Sequence, residues 1–320
     1  NTLGFFAGLL TGTGGITSNR YVVVAKSPKT GGWGDANSGG TFGPAMKAAG
    51  LDGIVVTGQS DAPVAIVFRD GKAEIVAADD WWGLDTAETD ERVADRYGGN
   101  ARAACIGPAG ERRSLLSCVI NEKYRAAGRS GLGAVMGSKK LKAVIVVPEG
   151  KFDTPVADAA AYKEAIAGHR EFLKTQPRWT IMRQYGTCGS MAGLVAKGDT
   201  PVKNWAGVGE RDFPTAGKIS DDAVLAIERK KYACWRCPLA CGGITEVAEG
   251  PFACTGHKPE YETLGAFGSM CLNDDLASIN LANDLCNRAG LDTISTGGTV
   301  AFAIECFEKG LIGPCLLYTS

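Results

Sequence analysis

The sequence predicts an α+β fold, with a β-rich half to about residue 150 followed by a mainly helical half. Three observations predict it. β-Branched runs separated by Gly-rich turns fill the first half, and the periodicity becomes helical after Pro148-Glu149-Gly150. Glycine, at 44 of 320 residues, is about twice its usual share of roughly 7%, and its clusters lie in the first half.

Arg20 to Lys26 (RYVVVAK) and Gly53 to Gly58 (GIVVTG) read as strands, and Val64 to Ala77 as a hairpin turning at Asp70-Gly71. Ala101 to Ile106, Leu115 to Asn121 and Leu141 to Val147 read as three more. Helices here are Phe42 to Ala49 and Thr86 to Tyr97, the latter stopping before Gly98-Gly99. The second half predicts helices over Val156 to Lys174, Met191 to Lys197, Asp221 to Tyr232 with Ser220 as N-cap, Asp274 to Ala289 before Gly290, and Thr293 to Lys309 before Gly310. The expected domains are therefore 1–150 and 151–320.

Lys plus Arg total 34 against 35 Asp plus Glu, so no positive excess points to nucleic acid or a membrane surface. Apolar runs such as Ala143 to Val147 are strand-sized, short of the roughly 20 residues a membrane span requires. Eight of the 11 cysteines fall between Cys234 and Cys315. No apolar targeting segment precedes them, and a reducing cytoplasm is the expected location. The chain starts at Asn1 without an initiator Met, and the final Gly-Pro-Cys-Leu-Leu-Tyr-Thr-Ser cuts off a helical pattern. A fragment with an aberrant tail is expected.

Cys234-Trp-Arg-Cys237-Pro-Leu-Ala-Cys241 puts three thiols within eight residues. Soft thiolates suit an iron-sulfur cluster or zinc, and Cys-Pro pairing occurs in ferredoxin-type sites. Zinc would need Cys254 or His257 as a fourth ligand; unliganded thiols are the third reading. The loop Ala36 to Gly43 precedes a short helix and could offer backbone N–H groups to an anion, or be a plain turn. Arg125 to Gly133 couples two guanidiniums to close-set glycines, as a phosphate-bearing cofactor would require. Pro259-Glu260-Tyr261-Glu262 follows His257, a pairing suited to proton transfer or to a solvated turn. Cys105, Cys118, Cys188, Cys286 and Cys306 lie in strand or helix patterns and are expected in cores.

Taken together, LTGT at 10–13, NSGGTFG at 37–43, GPAGE at 107–111, RAAGRSGLGAVMGSKKLKA at 125–143, CxxCPxxC at 234–241, PEYE at 259–262 and GLDTISTGGT at 290–299 resemble the aldehyde:ferredoxin oxidoreductase family of tungsten or molybdenum bis-pyranopterin enzymes. The resemblance covers nearly the whole chain in order. It implies a β-rich base beneath the metal-pterin, a helical domain over it, and both a start and a third domain that this chain lacks.

It further implies that Arg20, Asn37, Gly39, Arg125, Ala126 and Gly128 hold the pterin phosphates and a bridging Mg2+. Asp292 would hydrogen-bond a pterin, with Asn287 standing where the family has a second Asp. Cys234, Cys237 and Cys241 would be three ligands of a [4Fe-4S] cluster whose fourth comes from the absent domain. Glu262 takes the place of a glutamate beside the metal that handles a proton, and His257 joins it as a catalytic candidate outside the generic pattern. Leu281 stands where some members carry a Glu for an iron between subunits, so that bridge is not implied. The expected function is oxidation of an aldehyde to a carboxylate, with electrons leaving through the cluster to ferredoxin. A tungsten-dependent benzoyl-CoA reductase catalytic subunit is the alternative within the family, and a zinc-stabilised, non-catalytic binding module the one outside it. Homodimer and hetero-oligomer both stay open.

Overall fold

A computed structural model describes residues 2–149 and 154–314. The expected boundary at Gly150 and the last six residues of the suspected tail lie outside the described residues. The chain divides into two compact units, one comprising Asn1–Trp179, Ala233–Ala240 and Cys286–Asp292, the other Thr180–Tyr232, Cys241–Leu285 and Thr293–Ser320.

In the first unit β1 (Leu3–Ala7), β2 (Tyr21–Lys26) and β3 (Trp33–Ser38) are followed by α1 (Phe42–Ala48) and β4 (Gly53–Val56). The four strands form an antiparallel sheet in the order β3-β2-β1-β4. Next come β5 (Val64–Arg69), β6 (Lys72–Ala77), α2 (Thr86–Tyr97), β7 (Arg102–Cys105), α3 (Pro108–Glu111), β8 (Val119–Asn121), β9 (Arg125–Ala127), α4 (Leu132–Ser138) and β10 (Leu141–Val146). Their six strands run β6-β5-β10-β7-β8-β9, with β10 parallel to β5 and antiparallel to β7.

The hairpin forms where Asp70-Gly71 predicts it. Both residues have positive φ, 53° and 68°, the backbone a two-residue turn needs to match strand twist. β1, β3 and β9 are not among the strands the sequence predicts; small residues and Gly hide the alternation of WGDANS and RAA. The predicted strand Leu115 to Asn121 shortens to Val119–Asn121.

Burial follows the period of two. On β2, Tyr21, Val23 and Ala25 point into a core, and on β3 Gly34, Ala36 and Ser38 do so while Trp33, Asp35 and Asn37 face out. That core joins Leu3 and Phe5 to Phe42 and Met46 of α1, and to Val144 and Val146 of β10. A second core holds Ala143 and Ile145 of the same strand with Val93 of α2 and Trp81. β10 is buried along its whole length, which accounts for its apolar run from Ala143 to Val146. Its one charge, Lys142, lies 2.5 Å from Glu111 and donates to the Leu84 carbonyl at 2.7 Å.

After α5 (Ala159–Lys174) and α6 (Pro177–Gln184), the second unit contains α7 (Met191–Ala196), β11 (Pro201–Val202), β12 (Gly207–Val208), α8 (Gly209–Asp212), α9 (Asp221–Ile227), β13 (Glu228–Tyr232), β14 (Gly242–Val247), β15 (Cys254–His257), α10 (Tyr261–Phe267), α11 (Leu276–Ala289) and α12 (Thr293–Glu308). The last turn of α11 belongs to the first unit. Met191, Phe213, Ile219, Leu264 and Ile279 centre its core.

The expected helix Asp221 to Tyr232 is corrected. It stops at Ile227, and Glu228–Tyr232 pairs with β14, which pairs with β15. Strand pairing outweighs the local helical propensity of Glu-Arg-Lys-Lys, a weak prior. Ser220 stands at the N-cap without a capping bond; its hydroxyl bonds Asp221 instead. No helix among the described residues is long and apolar enough to cross a membrane.

Two tests follow from this packing. Lys142→Met leaves the buried Glu111 carboxylate uncompensated and should cost about 3–5 kcal/mol of unfolding free energy. Adding Glu111→Leu should recover much of it; a single-variant loss under about 1 kcal/mol in urea titration would contradict the buried pair. Burial pushes the thiols of Cys105 and Cys188 up to about 12 and about 11, and raises that of Cys118, with the Asp292 charge adding to the last. Iodoacetamide at pH 8 should therefore spare all three in the native protein and label them in denaturant, as read by peptide mass spectrometry.

Candidate functional site

The antiparallel register pairs Tyr21 with Ser38, so Arg20 lies opposite Gly39 just beyond the strand ends. Asn37 is on the exposed face of β3. At Gly39 several groups meet. A Cβ there would stand 2.7 Å from Cys234 Sγ, 3.5 Å from Asn19 Oδ1 and 3.6 Å from an Arg20 guanidinium nitrogen. Only glycine lets the thiol come this close.

Hydrogen bonds hold the cysteine loop in that place. The Trp235 amide donates to the Gly40 carbonyl at 3.1 Å, and Asn19 Nδ2 donates to the Trp235 carbonyl at 3.0 Å. The Cys237 amide turns back onto the Cys234 carbonyl at 3.0 Å. Arg236 and Ala240 are both left-handed, with φ of 49° and 47°, a cost of order 1–3 kcal/mol each that recurs in ligand clamps.

Asn121, 1% exposed, braces the same corner. Its Oδ1 accepts from the hydroxyls of Tyr21 (3.0 Å) and Ser38 (2.8 Å), and its Nδ2 donates to the Gly39 carbonyl at 3.0 Å. The candidate anion loop Ala36 to Gly43 is partly engaged by the chain itself: the Thr41 amide donates to the Glu122 carboxylate at 2.9 and 3.0 Å. Burial raises the Glu122 pKa, while the Thr41 amide and the Arg102 guanidinium oppose the rise.

Arg125 and Ala126 lie on β9, and Gly128 follows it. A Cβ on Gly128 would stand 3.3 Å from Asp292 Oδ1. Asp292, 7% exposed, is held by its amide bond to the Leu116 carbonyl at 2.9 Å and faces Arg129 Nε at 3.7 Å. Asn287 is buried, and its carbonyl accepts from the Thr86 hydroxyl at 2.8 Å. The next glycines have a different use. A Cβ on Gly137 would fall 1.9 Å from the Gly110 carbonyl oxygen, so Gly137 lets α4 pack onto α3.

The second unit holds the acid-base candidates. His257 ends β15 and is 5% exposed. Its Nδ1 is 2.6 Å from the Tyr232 hydroxyl, and its Nε2 faces Glu260 at 3.6 Å. An ionised carboxylate only accepts, so a proton on Nε2 and Tyr232 donating to Nδ1 is the matching tautomer. Glu260 also bonds the Thr187 hydroxyl, which accepts from the Tyr261 amide at 2.9 Å. Glu262 stands exposed in the first turn of α10.

Sequence reasoning missed Tyr232, whose segment looks helical; within Pro259–Glu262 it singled out Glu262, whereas the carboxylate that faces His257 is Glu260. Cys254 accepts from Asn280 Nδ2 at 3.2 Å. Cys234, Cys237 and Cys241 are half-buried, and among the described residues no three or more His, Cys, Asp or Glu side chains are drawn close enough to hold a metal ion.

Residues 1–148 match the family model for the N-terminal domain of aldehyde ferredoxin oxidoreductase, and 164–315 the model for its domains 2 and 3. The tungsten-containing aldehyde ferredoxin oxidoreductase of Pyrococcus furiosus is 41% identical over 317 residues, and that of Thermococcus kodakarensis 40% over 315. Each alignment covers 98% of this chain and 51% of the relative, so the chain spans about half the length of these curated relatives. Among solved structures, the active site complex BamBC of benzoyl coenzyme A reductase with 1,5-dienoyl-CoA matches with a TM-score of 0.84 and 26% identity, over 98% of this chain and 48% of that one. With both halves matched in order, the chain belongs to the aldehyde ferredoxin oxidoreductase family of oxidoreductases.

Proposed function

We propose that this chain is part of a tungsten-pterin, or molybdenum-pterin, enzyme that oxidises aldehydes to carboxylates and passes electrons through a [4Fe-4S] cluster to ferredoxin. The observation that carries the reading is Gly39, where the Arg20 guanidinium and the Cys234 thiol converge on one side-chain-free backbone. A cofactor phosphate and a cluster ligand would then be neighbours. The residues fit both groups in kind: guanidiniums and amides suit phosphate, and thiols suit iron.

In this proposal Arg20, Asn37, Gly39, Arg125, Ala126 and Gly128 hold the pterin phosphates, with oxygen donors completing a Mg2+ site. Asp292 and Asn287 hydrogen-bond a pterin, and Cys234, Cys237 and Cys241 ligate the cluster. The metal-pterin, when bound, supplies the two-electron redox chemistry. The chain's own part is to orient substrate and move protons. Glu262 exchanges a proton at its carboxylate, and His257, its ring fixed by Tyr232, holds one at Nε2. The division into domains 1–150 and 151–320 belongs to the same proposal, supported by family models that end at 148 and resume at 164. So does a cytoplasmic location, whose reducing conditions suit a chain of 11 cysteines.

A second reading, reduction of an aryl-CoA ring, is favoured by the part-buried Tyr232–His257 pair, which suits proton delivery, and by likeness to the benzoyl coenzyme A reductase complex. Rates with aldehydes against benzoyl-CoA separate the two. The zinc reading loses support, since Cys254 is engaged by Asn280 and His257 by Tyr232.

Elemental analysis of the anaerobically purified full-length protein should find tungsten or molybdenum together with iron. A colourless protein carrying zinc alone would overturn the proposal. Glu262→Gln should lower kcat about a hundredfold with KM little changed, the size expected for a lost acid-base group; unchanged kcat would remove Glu262 from the mechanism.

A further inference from the structure

Beside the cysteine loop, the first unit carries a groove of about 630 Å3 between α5 and the Thr13–Gly14 turn. One stripe of α5 lines it: Ala159, Tyr162, Lys163, Ile166, Ala167 and Arg170, spaced as one helix face requires. Arg236, lying between Cys234 and Cys237, forms the near wall. Its side chain passes 3.7 Å from the Cβ position of Gly14 and stacks on Trp235 with 5.4 Å to the ring centroid. Tyr162 pins the helix, its hydroxyl 2.6 Å from that of Thr13.

Charge distinguishes this groove. Among the described residues its charged lining is Lys163, Arg170 and Arg236, with no Asp or Glu, in a chain whose charges nearly cancel. None of the three cations forms an ion pair with a described residue, whereas Lys174 of the same helix pairs with Glu171. No residue of α5 is buried. Among the described residues the segment thus presents exposed positive charge without an ion-pair partner, next to the loop that bears the thiols.

We propose that this groove is the docking surface for an acidic one-electron carrier protein of the ferredoxin kind. The inference rests on the redox reading above and adds where the carrier sits. Positive side chains beside the outlet would steer an acidic partner and fix its orientation, an effect that appears in association and its salt dependence more than in chemistry.

The test uses the full-length holoenzyme with the double variant Lys163→Glu/Arg170→Glu and the milder Lys163→Gln/Arg170→Gln. Binding of an acidic bacterial ferredoxin, by calorimetry at low salt, should weaken about tenfold in the first and less in the second. The slope of log Kd against log salt should become shallower. Reduction of methyl viologen, which needs no docked protein, should keep its wild-type rate. Ferredoxin affinity and salt slope unchanged in both variants, as when another part of the protein covers the groove, would overturn the proposal. Wild-type failure to reduce viologen with aldehyde would instead count against the redox reading, while the binding isotherms would still decide the docking surface.

Discussion

The seat of the Cys234–Cys241 loop on Gly39 and Gly40 is the contact on which the candidate site depends. Gly39 must lack a side chain because Cys234 Sγ fills that space, and the Trp235 amide then reaches the Gly40 carbonyl. Asn121 keeps the glycines still. One buried amide ties the Tyr21 and Ser38 hydroxyls to the Gly39 carbonyl, so β2, β3 and β8 share a network in which each member is satisfied. Segments far apart in sequence, near residues 20, 39, 121 and 234, are thereby held within a few ångströms.

Buried polarity elsewhere has the same character. Lys142, the charged residue of an otherwise apolar strand, is matched by Glu111, and Lys258 by Glu228 at 2.9 Å. Such pairs are weak contributors to net stability but costly to break. Glycines divide by use. Gly39 admits a sulfur and Gly137 a neighbouring helix, although both sit in runs that look alike in sequence. The first is tied to chemistry, the second to packing.

The legible parts of the fold were those where local signals agree. Val64 to Ala77 declares its hairpin through Asp70-Gly71, and Leu141 to Val147 its strand through the apolar run Ala143 to Val147. The three-stranded sheet of the second unit was not legible, because Glu228–Tyr232 has helical composition and becomes a strand only through pairing with Gly242–Val247. For the site, Cys234 and Arg125 stood out by type and spacing, and Asn37 through the family resemblance. Tyr232 did not: its relevance comes from a cross-strand contact with His257 that no spacing encodes. The Ala36 to Gly43 loop has the composition of an anion site or of a plain turn, and no local signal shows that Glu122, distant in sequence, accepts from the Thr41 amide.

By itself the sequence determined the α+β class, the order of the motifs and the residue types able to meet phosphate, iron and protons, because these follow from composition, periodicity and side-chain chemistry. Tertiary structure alone decided which of those groups meet. It placed Arg20 and Cys234 together at Gly39, set Asp292 against Gly128, gave His257 its Tyr232 partner and brought Lys163, Arg170 and Arg236 to one groove. The physical reason is range. Propensity and spacing act over a few residues, whereas these contacts join positions tens to hundreds of residues apart, and packing and hydrogen-bond satisfaction select them only in the folded chain.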